Sequence, residues 1–461
     1  MTDLVKENKM GTQPISKLII SMSLPMMLSM LILALYNIVD SIFVAQVSQN
    51  ALTGVSLAFP FQMLIVGIGV GTGVGTNSLI ARKLGEKQHD YANRVGATGL
   101  FLSVVSSILL SLVFFLFSEK LMSMFSDDPD IVYQATTYLK ICGSLCMASV
   151  VATVSEKILQ ATGNMLHPML IQIAGAVTNI ILDPIFIFGY LGIKPMGVAG
   201  AAYATVIGQT VSMILAFYFL FYHKKNDILK IKFRNFVLDI KIILEIYEVG
   251  IASILMQSVT SFTTLMLNAM LIAFSPVAVN VLGVYFKIQS FIFMPVFGLT
   301  SGALPILAYN YGAKNKERFL KALRLALTYA LSIMIIGFLI MQLFPTQLLS
   351  LFNADAEMLS IGVKAFRTIS FAFPLAAITI VFVTTFNSLG RGIYSLIITL
   401  TRQVVVILPS AYFFSKLFGL DYLWLAYPIA EVVGITLAAA FMAFSYKTYI
   451  KNLSFADSNL A

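Results

Sequence analysis

The sequence predicts an all-α polytopic membrane protein, with twelve transmembrane helices in two pseudo-symmetric six-helix lobes. Three observations carry this prediction. Of 461 residues, 59% are hydrophobic and only 11% charged, too few charges to coat a water-facing surface, since soluble domains carry roughly 25%. Apolar runs of about 20 residues recur along the whole chain, each long enough to cross a bilayer as a helix. The second half also repeats the first at a shift of about 227 residues.

The twelve runs fall at about 17–40, 53–80, 95–117, 135–159, 167–189, 198–222, 246–274, 278–308, 323–344, 362–388, 394–417 and 423–446. They are continuously apolar, whereas outer-membrane strands alternate over about ten residues. The first run lacks a small-residue cleavage site and continues into Asn37 and Asp40, so it reads as a retained span rather than a signal peptide.

The net charge of +9 follows topology and does not imply nucleic-acid binding. Arg82, Lys83, Lys87 and Arg94 lie between spans 2 and 3. Lys224, Lys225, Lys230, Lys232, Arg234 and Lys241 lie between spans 6 and 7, and Lys314, Lys316, Arg318, Lys321 and Arg324 between spans 8 and 9. The opposite loops are acidic, with Asp127, Asp128, Asp130, Asp355 and Glu357. The positive-inside bias predicts a multi-pass plasma-membrane protein with both termini in the cytoplasm. Cys142 and Cys146, four apart on span 4, read as packing residues. His89, His167 and His223 form no metal-ligand cluster in sequence.

In the repeat, Phe59, Gln62, Gly75, Ala81, Gly85 and Lys87 correspond to Phe286, Gln289, Gly302, Ala308, Gly312 and Lys314. Gly163 corresponds to Gly390. Six is even, so both halves enter from the same side, an arrangement of transporters that bind substrate between two lobes. The expected division is 1–222, a basic linker at 223–242, and 243–461. The halves differ in their acids. Asp183 aligns near Pro409-Ser410, and Glu431 near Thr205, which concentrates cation chemistry in the first half.

Asp183 stands in Asn179-Ile-Ile-Leu-Asp183-Pro184, inside an apolar run from about Met169 to Phe188. A carboxylate at the bilayer centre costs about 2.5 kcal/mol or more, which makes it a functional-site candidate. Asp40 repeats the situation near the end of span 1. Asn37 and Asp40 are three apart and Asn179 and Asp183 four apart, so each pair shares a helix face. Amide and carboxylate oxygens are hard ligands for Na⁺, or partners for a carboxylate that takes up a proton. Pro184 removes a backbone donor and frees carbonyls one turn back. A purely structural pair of acids is the alternative, although a neutral amide would serve at lower cost.

Glu156, followed by Lys157 near the end of span 4, reads either as half of a snorkelling ion pair or as a substrate-facing acid. Glu431 is deeper and has Arg402 or Lys287 as possible partners, with structural and functional roles equally open. Gly67, Gly71 and Gly75 form two overlapping GxxxG steps for close helix approach rather than a phosphate loop. The many Phe, Tyr and Met residues are packing and lipid-facing residues, some of which should line a cavity. Pro25, Pro295, Pro374 and Pro428 are candidate bending points. The absence of HExxH or GxSxG from the sequence argues against an enzyme, and two acids within one lobe do not make a channel ring.

Several motifs resemble those of the multidrug and toxic compound extrusion (MATE) family, in its DinF/MepA-like branch. They are Ser23-Leu-Pro25-Met-Met, Tyr36-Asn37 with Asp40, Ala81-Arg82-Lys83-Leu84-Gly85, Gln160-Ala-Thr-Gly163-Asn164, Asn179-Ile-Ile-Leu-Asp183-Pro184 and Gly197-Val-Ala-Gly200-Ala-Ala-Tyr-Ala-Thr205, echoed by Pro305-Ile-Leu-Ala-Tyr-Asn310-Tyr-Gly312. The resemblance implies a V-shaped pair of lobes around a central cavity. It also implies a monomer that exports cationic or amphipathic drugs by antiport with H⁺ or Na⁺ and needs no cofactor beyond that ion. Coupling would fall to Tyr36, Asn37, Asp40, Asn179, Asp183 and Thr205, with any Na⁺ at Asp40, Asn179, Asp183 and Thr205. Glu156 resembles an acid of MepA-like members and, with Asp183 and Glu431, is the expected contact for substrate. The coupling acids of the NorM-like branch in spans 7 and 10 have no counterpart here. A lipid-linked saccharide flippase of the same superfold is the rival reading, for which Lys287 and Arg402 would supply positive charge.

Overall fold

The computed structural model describes residues 8–222, 228–231, 236–352 and 354–453. Of the basic residues expected in the linker, Lys224, Lys225, Lys232 and Arg234, together with His223, lie outside the described residues. A short helix α1 (Lys9–Thr12) precedes the first half: α2 (Ile15–Ala45), α3 (Gln49–Gly85), α4 (His89–Met122), α5 (Pro129–Ser144), α6 (Met147–Ala161), α7 (Leu166–Phe188) and α8 (Val198–Phe217). The second half comprises α9 (Ile240–Ile272), α10 (Pro276–Gly312), α11 (Lys316–Leu343), the short α12 (Pro345–Ser350), α13 (Ala356–Ser370) and α14 (Ala372–Ser388). It ends with α15 (Gly392–Leu400), α16 (Leu408–Phe418), α17 (Leu420–Leu423) and α18 (Ala426–Ser445). Among the described residues, ten helices or continuous helical runs are long and apolar enough to span a membrane, and two bent pairs, each counted as one span, bring the count to twelve.

The repeat is visible residue by residue. α3 and α10 begin at Gln49 and Pro276 and end at Gly85 and Gly312, a displacement of 227 at both ends. Each is capped by a serine whose hydroxyl accepts from the first turn, Ser48 from Ala51 N and Ser275 from Val277 N. Each is followed by a left-handed lysine, Lys87 and Lys314. The acidic loops are explained the same way: Asp128 and Asp355 cap α5 and α13.

The two sharp bends occupy equivalent places, 49° between α5 and α6 and 44° between α13 and α14. Of the four expected bending points, Pro374 lies at one of these bends, three residues beyond Phe371, and the other three lie away from both. α2 runs through Pro25 and α10 through Pro295 without interruption. Pro374 and Pro428 fall in the first turns of α14 and α18, where a helix has no partner for the missing N–H. One departure from symmetry is a π-helical segment, Thr401–Ile407, between α15 and α16; the equivalent part of α7 is regular.

The halves meet chiefly through α2 against α10 and α3 against α9. Glycines of α3 set the approach. A Cβ on Gly75 would lie 2.1 Å from the Ile246 carbonyl oxygen, one on Gly71 2.6 Å from that of Gly250, and one on Gly67 3.4 Å from Gln257 Cβ. The GxxxG steps therefore do serve helix packing, and α9 is the partner. Gly85 and Gly312 make reciprocal contacts: a Cβ on the first would meet Tyr309 O at 2.0 Å and one on the second Arg82 O at 2.1 Å. Contact is closest at the end bearing the basic loops and loosens away from it.

Polar clamps reinforce that basic end. Arg82 donates to the Leu389 carbonyl at 3.3 Å, and the Ser78 hydroxyl to the Asn387 carbonyl at 2.5 Å. Arg391 pairs with Glu248 at 2.8 Å, Arg94 with Asp239 at 2.7 Å, and Tyr91 donates to Glu245 at 3.1 Å. The α1 segment lies across the same end: Arg318 donates to the carbonyls of Met10 (3.0 Å) and Gln13 (2.7 Å), and Asn8 to that of Thr162 (3.4 Å).

Candidate functional site

Two of the acids within the apolar spans come together. α2 carries Asp40 five residues before its end, α7 carries Asp183 five residues before its own, and α8 presents Thr205 in its second turn. The cluster thus lies toward the end opposite the basic loops, displaced from the middle of α7. Asp183 is 0% exposed, Asn179 2% and Thr205 6%, and Asp40 is half-buried. The carboxyl groups of Asp40 and Asp183 face each other within hydrogen-bonding reach. The Asn179 amide donates to Asp183 Oδ1 at 3.4 Å and to Thr205 Oγ1 at 3.2 Å, and Tyr36 stands beside Thr205 and Asp40.

Three oxygens are left buried without a hydrogen-bond partner: Asp40 Oδ1, Asn179 Oδ1 and Asp183 Oδ2. Buried polar atoms are ordinarily paired, and two facing carboxylates repel unless a positive charge stands between them. Among the described residues, no salt bridge reaches either aspartate. The donor set, all hard oxygen, fits a proton or a small cation such as Na⁺. Asn37, expected on the same face as Asp40, is instead exposed; its carbonyl accepts from the Ser41 hydroxyl at 2.8 Å.

Apolar and weakly polar neighbours shield the cluster. Val44, Ile187, Val198, Ala201 and Ala202 form the surrounding core, with Cys142 and Cys146 buried and free. Tyr138 of α5, 3% exposed, stands beside Gln62, Cys142 and Asp40, and the Cys142 thiol points to the Ala202 carbonyl at 3.8 Å. In the sequence Tyr138 does not stand out and Gln62 serves only as a position of the repeat; their signal, polar atoms on otherwise apolar stretches of spans 4 and 2, is a weak one.

Glu156 does not snorkel with Lys157. It is buried and accepts from Gln172 Nε2 at 2.6 Å, while Gln172 Oε1 accepts from the Ser29 hydroxyl, a chain linking α6, α7 and α2. Lys157 turns away to Gln160 at 3.1 Å. The i,i+1 spacing explains this, since neighbours in a helix point about 100° apart. Nothing in the spacing of Glu156 points to Gln172, sixteen residues on, as its partner.

In the second half Glu431 sits 3.4 Å from Arg402 Nε and also contacts Thr379. Arg402 belongs to the π-helical segment, whose Gln403 donates to Thr260 at 3.0 Å. Of the two partners expected for Glu431, Arg402 is the one in contact. Lys287 stands elsewhere, 5.7 Å from the ring of Phe352.

The chain resembles known proteins over nearly its whole length. The MatE family profile matches twice, at residues 25–185 and 252–413. Among curated relatives, the multidrug export protein MepA of Staphylococcus aureus (strain bovine RF122 / ET3-1) is 24% identical over 419 residues, covering 91% of each chain. MepA of Staphylococcus haemolyticus (strain JCSC1435) is 25% identical, covering 92% of each. A multidrug resistance MATE transporter solved in an outward-facing conformation superposes with a TM-score of 0.89 at 28% identity, over 96% of this chain and 99% of the other. A MOP superfamily transporter from Pyrococcus furiosus Vc1 (DSM3638), described as having a binding pocket of reverse polarity, gives a TM-score of 0.89 at 27% identity over 95% and 98%.

Proposed function

Because the chain belongs to the MATE family, a family of transporters rather than enzymes, we propose that it exports cationic and amphipathic drugs by antiport with H⁺ or Na⁺. It is a multi-pass membrane protein. In this reading it acts as a monomer in the plasma membrane, with the basic loops and both termini in the cytoplasm. The lobes are residues 1–222 and 243–461, with 223–242 linking them. The single observation that supports coupling most is the facing pair Asp40 and Asp183, with three unpaired oxygens and no cationic partner among the described residues.

The cycle follows from those groups. With the cytoplasmic end clamped, the pair is reached from outside and takes up one positive charge, a proton between the carboxyls or Na⁺ held by Asp40, Asn179, Asp183 and Thr205. The neutralised pair no longer attracts a cationic drug, which is released. Each charge entering through 100 mV contributes about 2.3 kcal/mol. After discharge inside, the anionic pair, assisted by Glu156, favours loading of the next cation. Glu431, engaged by Arg402, belongs to the support of the second lobe rather than to coupling.

Efflux of a cationic dye from everted vesicles, energised by a proton gradient alone and then by a Na⁺ gradient alone, tests the proposal. One gradient should drive wild-type transport, and Asp183→Asn and Asp40→Asn should each abolish it at normal expression. Normal transport by both variants would make the acids structural. The flippase reading loses much of its support, because Arg402 is occupied by Glu431 and, of the two cations proposed for it, Lys287 alone lacks a carboxylate partner among the described residues.

A further inference from the structure

Lys287 lies where the packing pattern of two helices leads into open space. On α10, Lys287, Gly298 and Tyr309 are spaced by 11 residues, about three turns, and so share a face. Gly298 packs on the backbone of Met27 and Tyr309 on Gly85, so this face looks toward the first lobe. On α9, Ile246, Gln257 and Asn268 are likewise 11 apart; the first two pack on Gly75 and Gly67. Asn268 and Lys287 therefore continue the inter-lobe faces beyond the point where the lobes separate. Between them is a cavity of about 460 Å³, lined also by Asn280, Phe286, Phe352 and Met358. That volume suits a drug-sized ligand.

The chemistry of this wall is opposite to that of the aspartate pair. Lys287 and Asn280 are exposed, and among the described residues Lys287 has no carboxylate partner. Its ammonium offers three donors, the two carboxamides offer more, and Phe286, Phe352 and Met358 supply an adaptable apolar flank. We infer that this cavity is an anion-accepting subsite, which takes the carboxylate of amphipathic zwitterionic substrates while their cationic end faces the aspartate-bearing lobe. The inference rests on the proposed export function and adds a substrate class to it. A substrate carboxylate and a phospholipid phosphate share the required chemistry, and the test separates them.

Binding of tetramethylrhodamine, a zwitterion, and of its methyl ester, a cation lacking the carboxylate, would be followed by fluorescence anisotropy on the purified full-length protein. Lys287→Met should weaken zwitterion binding by about tenfold, the loss expected for one charge-assisted hydrogen bond, and leave the ester within twofold. Lys287→Arg should retain most of the affinity. Equal effects on both dyes, no effect on either, or no binding of the zwitterion by wild type would overturn the inference. Binding of short-chain phosphatidylglycerol that Lys287→Met abolishes, with dye binding untouched, would assign the lysine to a lipid headgroup and overturn it too. Lysine-dependent binding without gradient-driven transport of either dye would instead overturn the antiport proposal and leave the subsite standing.

Discussion

Along α3 three glycines four residues apart grade the contact between the lobes, and alanine at each should have a different effect. At Gly75 the added Cβ would be 2.1 Å from the Ile246 carbonyl oxygen, against an ordinary separation of about 3.5 Å, so α3 and α9 must part by about 1 Å. The obstacle is backbone and cannot rotate away. At Gly71 the nearest atom is Ile254 Cγ1 at 2.4 Å, with Gly250 O at 2.6 Å behind it. At Gly67 the distance is already ordinary, 3.4 Å to Gln257 Cβ. Overpacking of this kind costs about 1–3 kcal/mol. If Gly75→Ala removes about 2 kcal/mol from the closed basic end, the balance between closed and open shifts by roughly 30-fold. A reporter cysteine at Ser78, in a background lacking Cys142 and Cys146, would read this as faster labelling by an impermeant maleimide in everted vesicles. The expected order is Gly75→Ala, then Gly71→Ala, with Gly67→Ala near wild type. Equal labelling of the Gly67 and Gly75 variants, or none above background in Gly75→Ala, would refute the argument.

Other outcomes follow from single contacts. Arg318→Met removes two bonds to the carbonyls of Met10 and Gln13 and should cost about 3 kcal/mol, seen as a lower melting temperature and faster proteolysis near the N-terminus. Glu431→Gln strands Arg402 and should cost about 3 kcal/mol, while the double variant with Arg402→Met recovers most of it in thermal melts. Glu248→Gln breaks a half-exposed pair with Arg391 and should change stability by less than about 1 kcal/mol. Burial and the neighbouring Glu245 push the Tyr91 hydroxyl up to about 12 from 10.0. Its neutral form is thus favoured by folding, so its contribution is complete below pH 10 and lost as pH rises through 12; Tyr91→Phe should flatten the wild-type decline in that range.

Much of the architecture was legible because a bilayer enforces it: apolar runs gave the spans, and matching glycines and lysines gave the repeat. Asp40, Asn179 and Asp183 stood out since acids are costly there. Thr205 did not, and came from the family resemblance. What escaped notice depends on which helices meet. Of the prolines expected to bend helices, Pro374 does mark a bend, one turn after Ser370, whose carbonyl its missing N–H cannot serve, whereas the equivalent bend around Leu145 has no proline, only Gly143 nearby. Glu156 has its partner sixteen residues away in Gln172, a choice made by tertiary packing. Glu245 and Glu248, near the start of α9, hold Tyr91 and Arg391 across the basic end. The direction of Lys287 is meaningful only once Gly298 and Tyr309 are known to touch the other lobe.

The reciprocal contacts of Gly85 and Gly312 have an ancestral meaning. In a two-fold pair of identical six-helix chains, one glycine codon would provide both contacts, since each subunit offers the same patch to the other. Fusion into a single chain preserves that dyad where the lobes touch and releases it elsewhere. Asp183 could then persist in one copy while its counterpart became Ser410, and Arg402 could arise on a π-helical turn with no twin. The glycines are what two equal halves still owe each other; the acids and the lysine mark where they have divided the labour.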